Sequence, residues 1–79
     1  MIDAITQERI LIHADGAAWP YLMVAEAQLE AVIRALEARH VPHWVDEDTI
    51  SVDGEPAVAV VNLGRGADVM AVQRLLDGI

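Results

Sequence analysis

The stretch PYLMVAEAQLEAVIRALEARHVP, residues 20–42, contains a change of hydrophobic period that decides the fold class. Residues 20–24 are typical of a short strand opened by proline, at a position where the missing N–H is tolerated. From about Ala25 to Arg39 the apolar residues recur with the 3.6-residue period of an amphipathic helix. The predicted buried stripe of this helix consists of Leu29, Val32, Ile33 and Leu36. The pattern therefore predicts a strand followed directly by a helix.

Residues on both sides of this unit extend the prediction. Glu30 precedes Arg34 by four positions, the order that favours an ion pair on a helix surface. Pro42 ends the helix, because the residue before a proline avoids the helical conformation. Upstream, ERILIHA at residues 8–14 alternates with period two and predicts another strand. Asp15-Gly16 then indicates a tight turn between the two strands.

The second half of the chain has the same order of patterns. HWVDEDTISV (43–52) and PAVAVVNL (56–63) predict a strand pair around a second DG turn at residues 53–54. The acidic run 46–48 is unfavourable inside a strand and predicts a bulge or an exposed edge. A final helix is predicted from about Ala67 to Asp77. Its buried stripe consists of Val69, Val72, Leu75 and Leu76.

The two halves match in order and spacing, which predicts a single domain, 1–79, built from two ββα half-repeats at 8–39 and 43–77. Such units predict an α+β two-layer sandwich, with a four-stranded, mainly antiparallel sheet and both helices on one face (ββαββα). If residues 20–24 form only a loop, the fallback is a ferredoxin-like βαββα arrangement.

Composition limits the possible partners. The chain has 79 residues and a net charge of −8, and its only cations besides histidine are five arginines. Five scattered arginines supply no basic face, so nucleic acid and anionic membranes are poor partners. No apolar run approaches the length of about 20 residues that a membrane-spanning helix needs. The absence of cysteine rules out disulfides and thiolate metal sites, and it fits a cytoplasmic protein.

The strand at 57–61 is apolar on both faces. We predict that Val58 and Val60 face the helices, and that Ala57, Ala59 and Val61 face the opposite side. A two-layer domain leaves that side open, so the prediction implies a surface for a second copy or a protein partner. The alternative is that this strand pair lies centrally and is partly covered by Trp19 or the N-terminal segment.

Aromatic residues are concentrated near one turn. Trp19 and Tyr21 flank Pro20, and Trp44 joins them if the two hairpins lie side by side. Trp and Tyr are enriched at interface hot spots, so these three residues are candidate contact residues. The alternative is that they cover a small core in a chain that has no phenylalanine.

NLGRGAD, residues 62–68, has the composition of an anion-binding loop. Gly64, Arg65 and Gly66 precede a helix N-terminus, where backbone N–H groups and the helix dipole favour an anion or nucleotide. The motif matches neither a dinucleotide fingerprint nor a P-loop. The simpler interpretation is a tight turn with a solvated arginine, in which Asp68 supplies the negative charge to the first helical turn.

Histidines offer weak candidates for metal binding or catalysis. His40 and His43 have H-x-x-H spacing, but a helix end and Pro42 separate them, so we predict no metal site and no cofactor. The sequence contains no nucleophilic triad, and only His13 with Asp15 offers acid–base chemistry at a turn, which favours a non-enzyme. The leading hypothesis is a small cytoplasmic interaction or regulatory module acting as a homodimer. The alternative is a sensor of a small anion or nucleotide at residues 64–68.

Overall fold

The computed structural model describes residues 1–14, 19–46 and 57–79, and both predicted DG turns lie outside them. The protein is α+β. Its elements, in chain order, are β1 (Tyr21–Ala25), a 3-10 turn (Glu26–Gln28), α1 (Leu29–Ala38), β2 (His43–Val45), β3 (Val58–Leu63) and α2 (Val69–Asp77). Both helices and the strand at 20–24 were thus predicted in nearly the right places. Of the predicted acidic bulge, only Asp46 is among the described residues.

The sheet has three antiparallel strands in the order β1-β3-β2, with β3 in the centre. Because β1 and β2 are both antiparallel to β3, they run parallel to each other, and α1 connects them. The order of elements among the described residues is βαββα. The predicted four-stranded sheet and the ferredoxin-like order of the fallback are not confirmed.

The segment ERILIHA, predicted as a strand, contacts the sheet at a single bridge between His13 and Tyr21. At Ile10 and Ile12 the backbone of the segment is hydrogen-bonded to the side chain of Gln73 on α2. Gln73 Oε1 accepts a hydrogen bond from the Ile12 N–H at 3.0 Å, and Gln73 Nε2 donates to the Ile10 carbonyl at 2.9 Å. The segment is therefore attached to α2 by side-chain hydrogen bonds and not to the sheet by a ladder of backbone bonds.

The core lies between the sheet and the two helices. It is formed by buried side chains from both layers and from the N-terminal segment, namely Ile10, Leu22, Val24, Val32, Leu36, Val61, Leu63, Val72 and Leu76. Val32 and Leu36 of α1 and Val72 and Leu76 of α2 belong to the predicted stripes, so the predicted core faces of both helices are confirmed.

The predicted orientation of β3 is wrong. Ala59 and Val61 are completely buried and lie on the helix side, whereas Val58 and Val60 lie on the opposite side and are partly exposed. The register explains the difference, because Val61 pairs with Leu22, an inward-facing residue of β1. The sequence VAVV is apolar at every position, so its own alternation does not determine which face is buried.

Helix α1 ends in a tightly bonded turn. The Val41 N–H donates to the Leu36 carbonyl at 2.9 Å and the His40 N–H donates to the Glu37 carbonyl at 3.1 Å, which is the pair of bonds in a Schellman motif. His40 therefore takes the left-handed position, with φ of 55°, which glycine usually occupies. This motif, and not Pro42 itself, closes the helix.

Candidate functional site

The sheet face away from the helices carries a row of polar and aromatic side chains. Cross-strand pairing places His13 beside Tyr21, Tyr21 beside Asn62, and Asn62 beside Trp44. The His13 and Tyr21 rings stack at a centroid distance of 4.9 Å with an interplanar angle of 17°. Asn62 Nδ2 donates to Asp46 Oδ1 at 2.7 Å, which fixes the amide between the aromatic neighbours.

The two tryptophans meet at the end of this row. Trp19 and Trp44 form an edge-to-face pair with a centroid distance of 5.3 Å and an interplanar angle of 80°. Such pairs add roughly 0.5–1.5 kcal/mol beyond the burial of their area. The contact fixes both indoles while leaving Trp19 48% and Trp44 43% exposed.

We define the open face as the side chains of His13, Trp19, Tyr21, Met23, Trp44, Val60 and Asn62. Within the described ranges no helix or strand packs against this face, because both helices lie on the other side of the sheet. Met23, opposite Val60 in the register, is 38% exposed. None of the seven side chains is an Asp, Glu or Arg, in a protein with a net charge of −8. The Asp46 carboxylate lies beside this set, bonded to Asn62, and the ring-rich remainder is suited to apolar contact.

The predicted interface residues fall into two groups. Trp19, Tyr21 and Trp44 lie together on the open face, as their spacing suggested. Ala59 and Val61 do not, because their side chains are buried under the helices, and their assignment to an exposed surface is corrected. Ala57 precedes β3, and its carbonyl accepts a hydrogen bond from the Glu26 N–H at 3.0 Å.

Residues 62–68 form a turn into α2. The Ala67 N–H donates to the Gly64 carbonyl at 2.9 Å, and the Asp68 carboxylate accepts a hydrogen bond from the Ala71 N–H at 3.1 Å. Asp68 is therefore the N-cap of α2, and its own negative charge occupies the position where an anion would meet the helix N-terminus. Arg65 is exposed. This geometry favours the simpler interpretation of the loop, while ligand binding by Gly64, Arg65 and Gly66 remains a prediction.

The histidines predicted as weak metal candidates serve local structure. The His43 Nδ1–H donates to the Val41 carbonyl at 2.8 Å, and His40 is the left-handed residue that closes α1. In the part of the chain that the structure describes, no group of three or more potential metal-binding side chains comes together. His13 stacks on Tyr21, and its predicted acid–base partner, Asp15, lies outside the described residues.

A bidentate ion pair lies away from the open face. Arg9 donates two hydrogen bonds to Asp77, from Nε at 2.8 Å and from an Nη at 2.5 Å. The hydrogen bond from Arg9 lowers the pKa of Asp77 to about 2, and a further bond from Gln73 adds to the effect. The pair joins the N-terminal segment to the end of α2, so its role is structural. The predicted Glu30–Arg34 ion pair is also present, at 2.5 Å.

Sequence reasoning missed four residues of the open face: His13, Met23, Val60 and Asn62. The signal that identifies them is the strand register. His13 and Asn62 each pair with Tyr21, which was predicted, and Val60 pairs with Met23. Alternation within β1 puts Met23 on the same face as Tyr21. On β3 every position of the run VAVV is apolar, so the face of Val60 can be assigned only from its pairing with β1.

Comparison with known proteins supplies no further assignment. No protein-family model matches the chain, and no curated protein or solved structure matches it at a significant level. Within the described residues, no helix is long and apolar enough to cross a membrane.

Proposed function

We propose that this protein is a small cytoplasmic interaction module that acts as a homodimer through the open face of its sheet. The observation that carries the proposal is the Trp19–Trp44 pair, which is fixed in geometry and still about half exposed. Rigid aromatic anchors of this kind dominate the free energy of protein–protein association. A second copy of the chain is the proposed occupant.

Charge supports a second copy over a basic partner. None of the seven open-face side chains is acidic, and the neighbouring Asp46 carboxylate is hydrogen-bonded to Asn62, so two copies can bring their aromatic side chains together there. A basic partner would gain most from contacts with the acidic remainder of the surface, and least from this uncharged area. A two-fold axis through the face would place the same residues of both copies in contact.

The size of the domain also favours association with a second copy. A domain of about 80 residues buries only roughly 60% of its unfolded surface, so association is a common source of additional burial. A standard interface takes about 800 Å² from each partner. Fully covered aromatic side chains bury roughly 150–250 Å² each. Trp19, Tyr21 and Trp44 are already partly covered, so they form the centre of such an interface and not its whole area, and we expect moderate affinity.

The test measures molar mass by light scattering and sedimentation across the micromolar range. The wild-type protein is expected to change from monomer to dimer as its concentration rises. Trp44→Ala removes one anchor and is expected to weaken dimerisation by about 2 kcal/mol or more, roughly thirtyfold in Kd. Met70→Ala is the matched control, because Met70 is a large apolar residue that is 69% exposed on α2.

Two results would contradict the proposal. A wild-type protein that stays monomeric throughout the micromolar range excludes the homodimer. A dimer that Met70→Ala weakens as much as Trp44→Ala does would place the interface elsewhere. Circular dichroism on each variant separates loss of association from loss of folding.

A further inference from the structure

A cleft opens on the helical side of the molecule, remote from the open face. It lies between the end of α1, the turn before α2 and one side of α2 from Ala71 to Leu75, and its volume is about 550 Å³. That volume is within the range of small-molecule sites, roughly 300–1,000 Å³. The apolar part of its lining includes Val41, Pro42, Ala67, Ala71 and Leu75.

Basic side chains line the cleft, although the protein as a whole is acidic. Arg39 and His40 at the end of α1 and Arg74 on α2 all line it. The other arginines with a defined partner are engaged elsewhere, Arg9 with Asp77 and Arg34 with Glu30. Among the described residues, neither Arg39 nor Arg74 has a carboxylate within ion-pair distance.

The backbone around the cleft holds these groups in place. The Schellman motif fixes the end of α1, so that Arg39 and the left-handed His40 face the same cleft as Arg74. Asp68 is the acidic residue of the lining, and its carboxylate bonds to the Ala71 N–H of the first turn of α2. Asp68 is thus held at the helix N-terminus, and within the described ranges neither guanidinium group of the cleft is in an ion pair.

We propose that this cleft binds a small organic oxyanion, with the guanidinium groups of Arg39 and Arg74 on the charged group and the apolar lining around the ligand body. Arginine forms paired hydrogen bonds to carboxylate and phosphate oxygens, which gives it a geometric preference for such groups. The inference is independent of the proposed dimer, because the cleft and the open face lie on opposite layers. It also moves anion binding from the Arg65 turn to the two helices.

The test uses phenyl phosphate and benzoate as probes, titrated into the full chain and followed by amide chemical shifts and calorimetry. Binding of either probe is expected to shift the amides of Val41 and of Ala67 to Val72, and the preferred probe identifies the headgroup. Arg39→Gln and Arg74→Gln are each expected to weaken binding about tenfold, since each removes charge-assisted hydrogen bonds. Arg34→Gln is the matched control, with the same change of net charge outside the cleft.

Further ligands and variants make the outcome decisive. Phenol lacks the anion and inorganic phosphate lacks the apolar body, so both are expected to bind more weakly than the preferred probe. Trp44→Ala is expected to keep full binding, which separates this proposal from the dimer. The proposal is overturned if neither probe binds at millimolar concentration, if phenol or inorganic phosphate binds equally well, or if Arg34→Gln or Arg65→Gln reduces binding as much as the cleft variants do.

Discussion

Exchanging valine for threonine at two neighbouring positions of β3 tests which face of the sheet is buried. Val61 is completely buried against the helices, whereas Val60 lies on the open face and is partly exposed. Threonine is also β-branched and replaces one methyl by a hydroxyl, so strand propensity and side-chain shape are nearly unchanged. The two variants therefore differ mainly in where the hydroxyl is placed.

The structure sets the expected magnitudes. At Val61 the hydroxyl enters an apolar environment, where an unsatisfied hydroxyl costs about 1–3 kcal/mol in mutational data. At Val60 water still reaches the side chain, and surface changes of this kind usually stay within about 0.5 kcal/mol. For a domain of this size 1 kcal/mol corresponds to roughly 4–8 °C in Tm. Val61→Thr is thus expected to lower the Tm by about 4–24 °C, and Val60→Thr by less than about 4 °C.

The assay is thermal and urea denaturation followed by circular dichroism. Val60 lies in the proposed dimer interface, so measurements at low protein concentration remove any contribution of association to its apparent stability. Equal losses at both positions, or a larger loss at Val60, would refute the register and the core described here. The reversed result would restore the orientation that the isolated β3 sequence suggested.

The remaining predictions concern contacts that tie the chain together. Gln73→Ala leaves the partly buried Ile12 N–H without its partner and is expected to cost about 1–3 kcal/mol in urea denaturation. Gln28→Ala, whose two bonds to the N-terminal segment are exposed, is expected to cost less, and equal costs would argue against the difference in burial. His40→Gly removes a left-handed non-glycine residue and is expected to stabilise by about 0.5–1 kcal/mol, and a lower Tm for this variant would contradict the expectation. Asp77→Asn is expected to lower stability at neutral pH. The folded-state pKa of Asp77, about 2, lies below its ordinary value of 3.8, so the Asp77 contribution is present above about pH 4 and is lost as the pH falls towards 2. Urea midpoints that show a constant difference from wild type between pH 7 and pH 2 would contradict this reasoning.

The helices could be predicted from the sequence because their signal is local. The 3.6-residue stripes place Val32 and Leu36 of α1 and Val72 and Leu76 of α2 in the core, where the structure has them. Strand β1 was also predictable, since Leu22 and Val24 alternate with Tyr21 and the exposed Met23. In each case the pattern within one element is enough to define the buried face.

The N-terminal segment and the orientation of β3 were less predictable, because non-local contacts decide them. ERILIHA alternates like a strand, yet its backbone is hydrogen-bonded to Gln73, a side chain more than 60 positions later in the chain. In β3, Leu22 and Val24 across the sheet select Val61 and Ala59 as the buried partners. The composition of the open face was unpredictable for the same reason, because only the strand register shows that Asn62 lies beside Tyr21 and Trp44.

The loop at residues 62–68 connects the two candidate sites, and its residues divide between them. At its start, Asn62 belongs to the open face, where its amide bonds to Asp46. At its end, Ala67 and Asp68 line the cleft beside α2. Neither Gly64 nor Gly66 has a positive φ, and a Cβ on Gly64 would meet Pro42 at an ordinary contact distance of 3.5 Å. Neither glycine is therefore required by a left-handed backbone at this turn, and the proposed anion site at Arg39 and Arg74 can be distinguished from one at Arg65 by the Arg65→Gln variant.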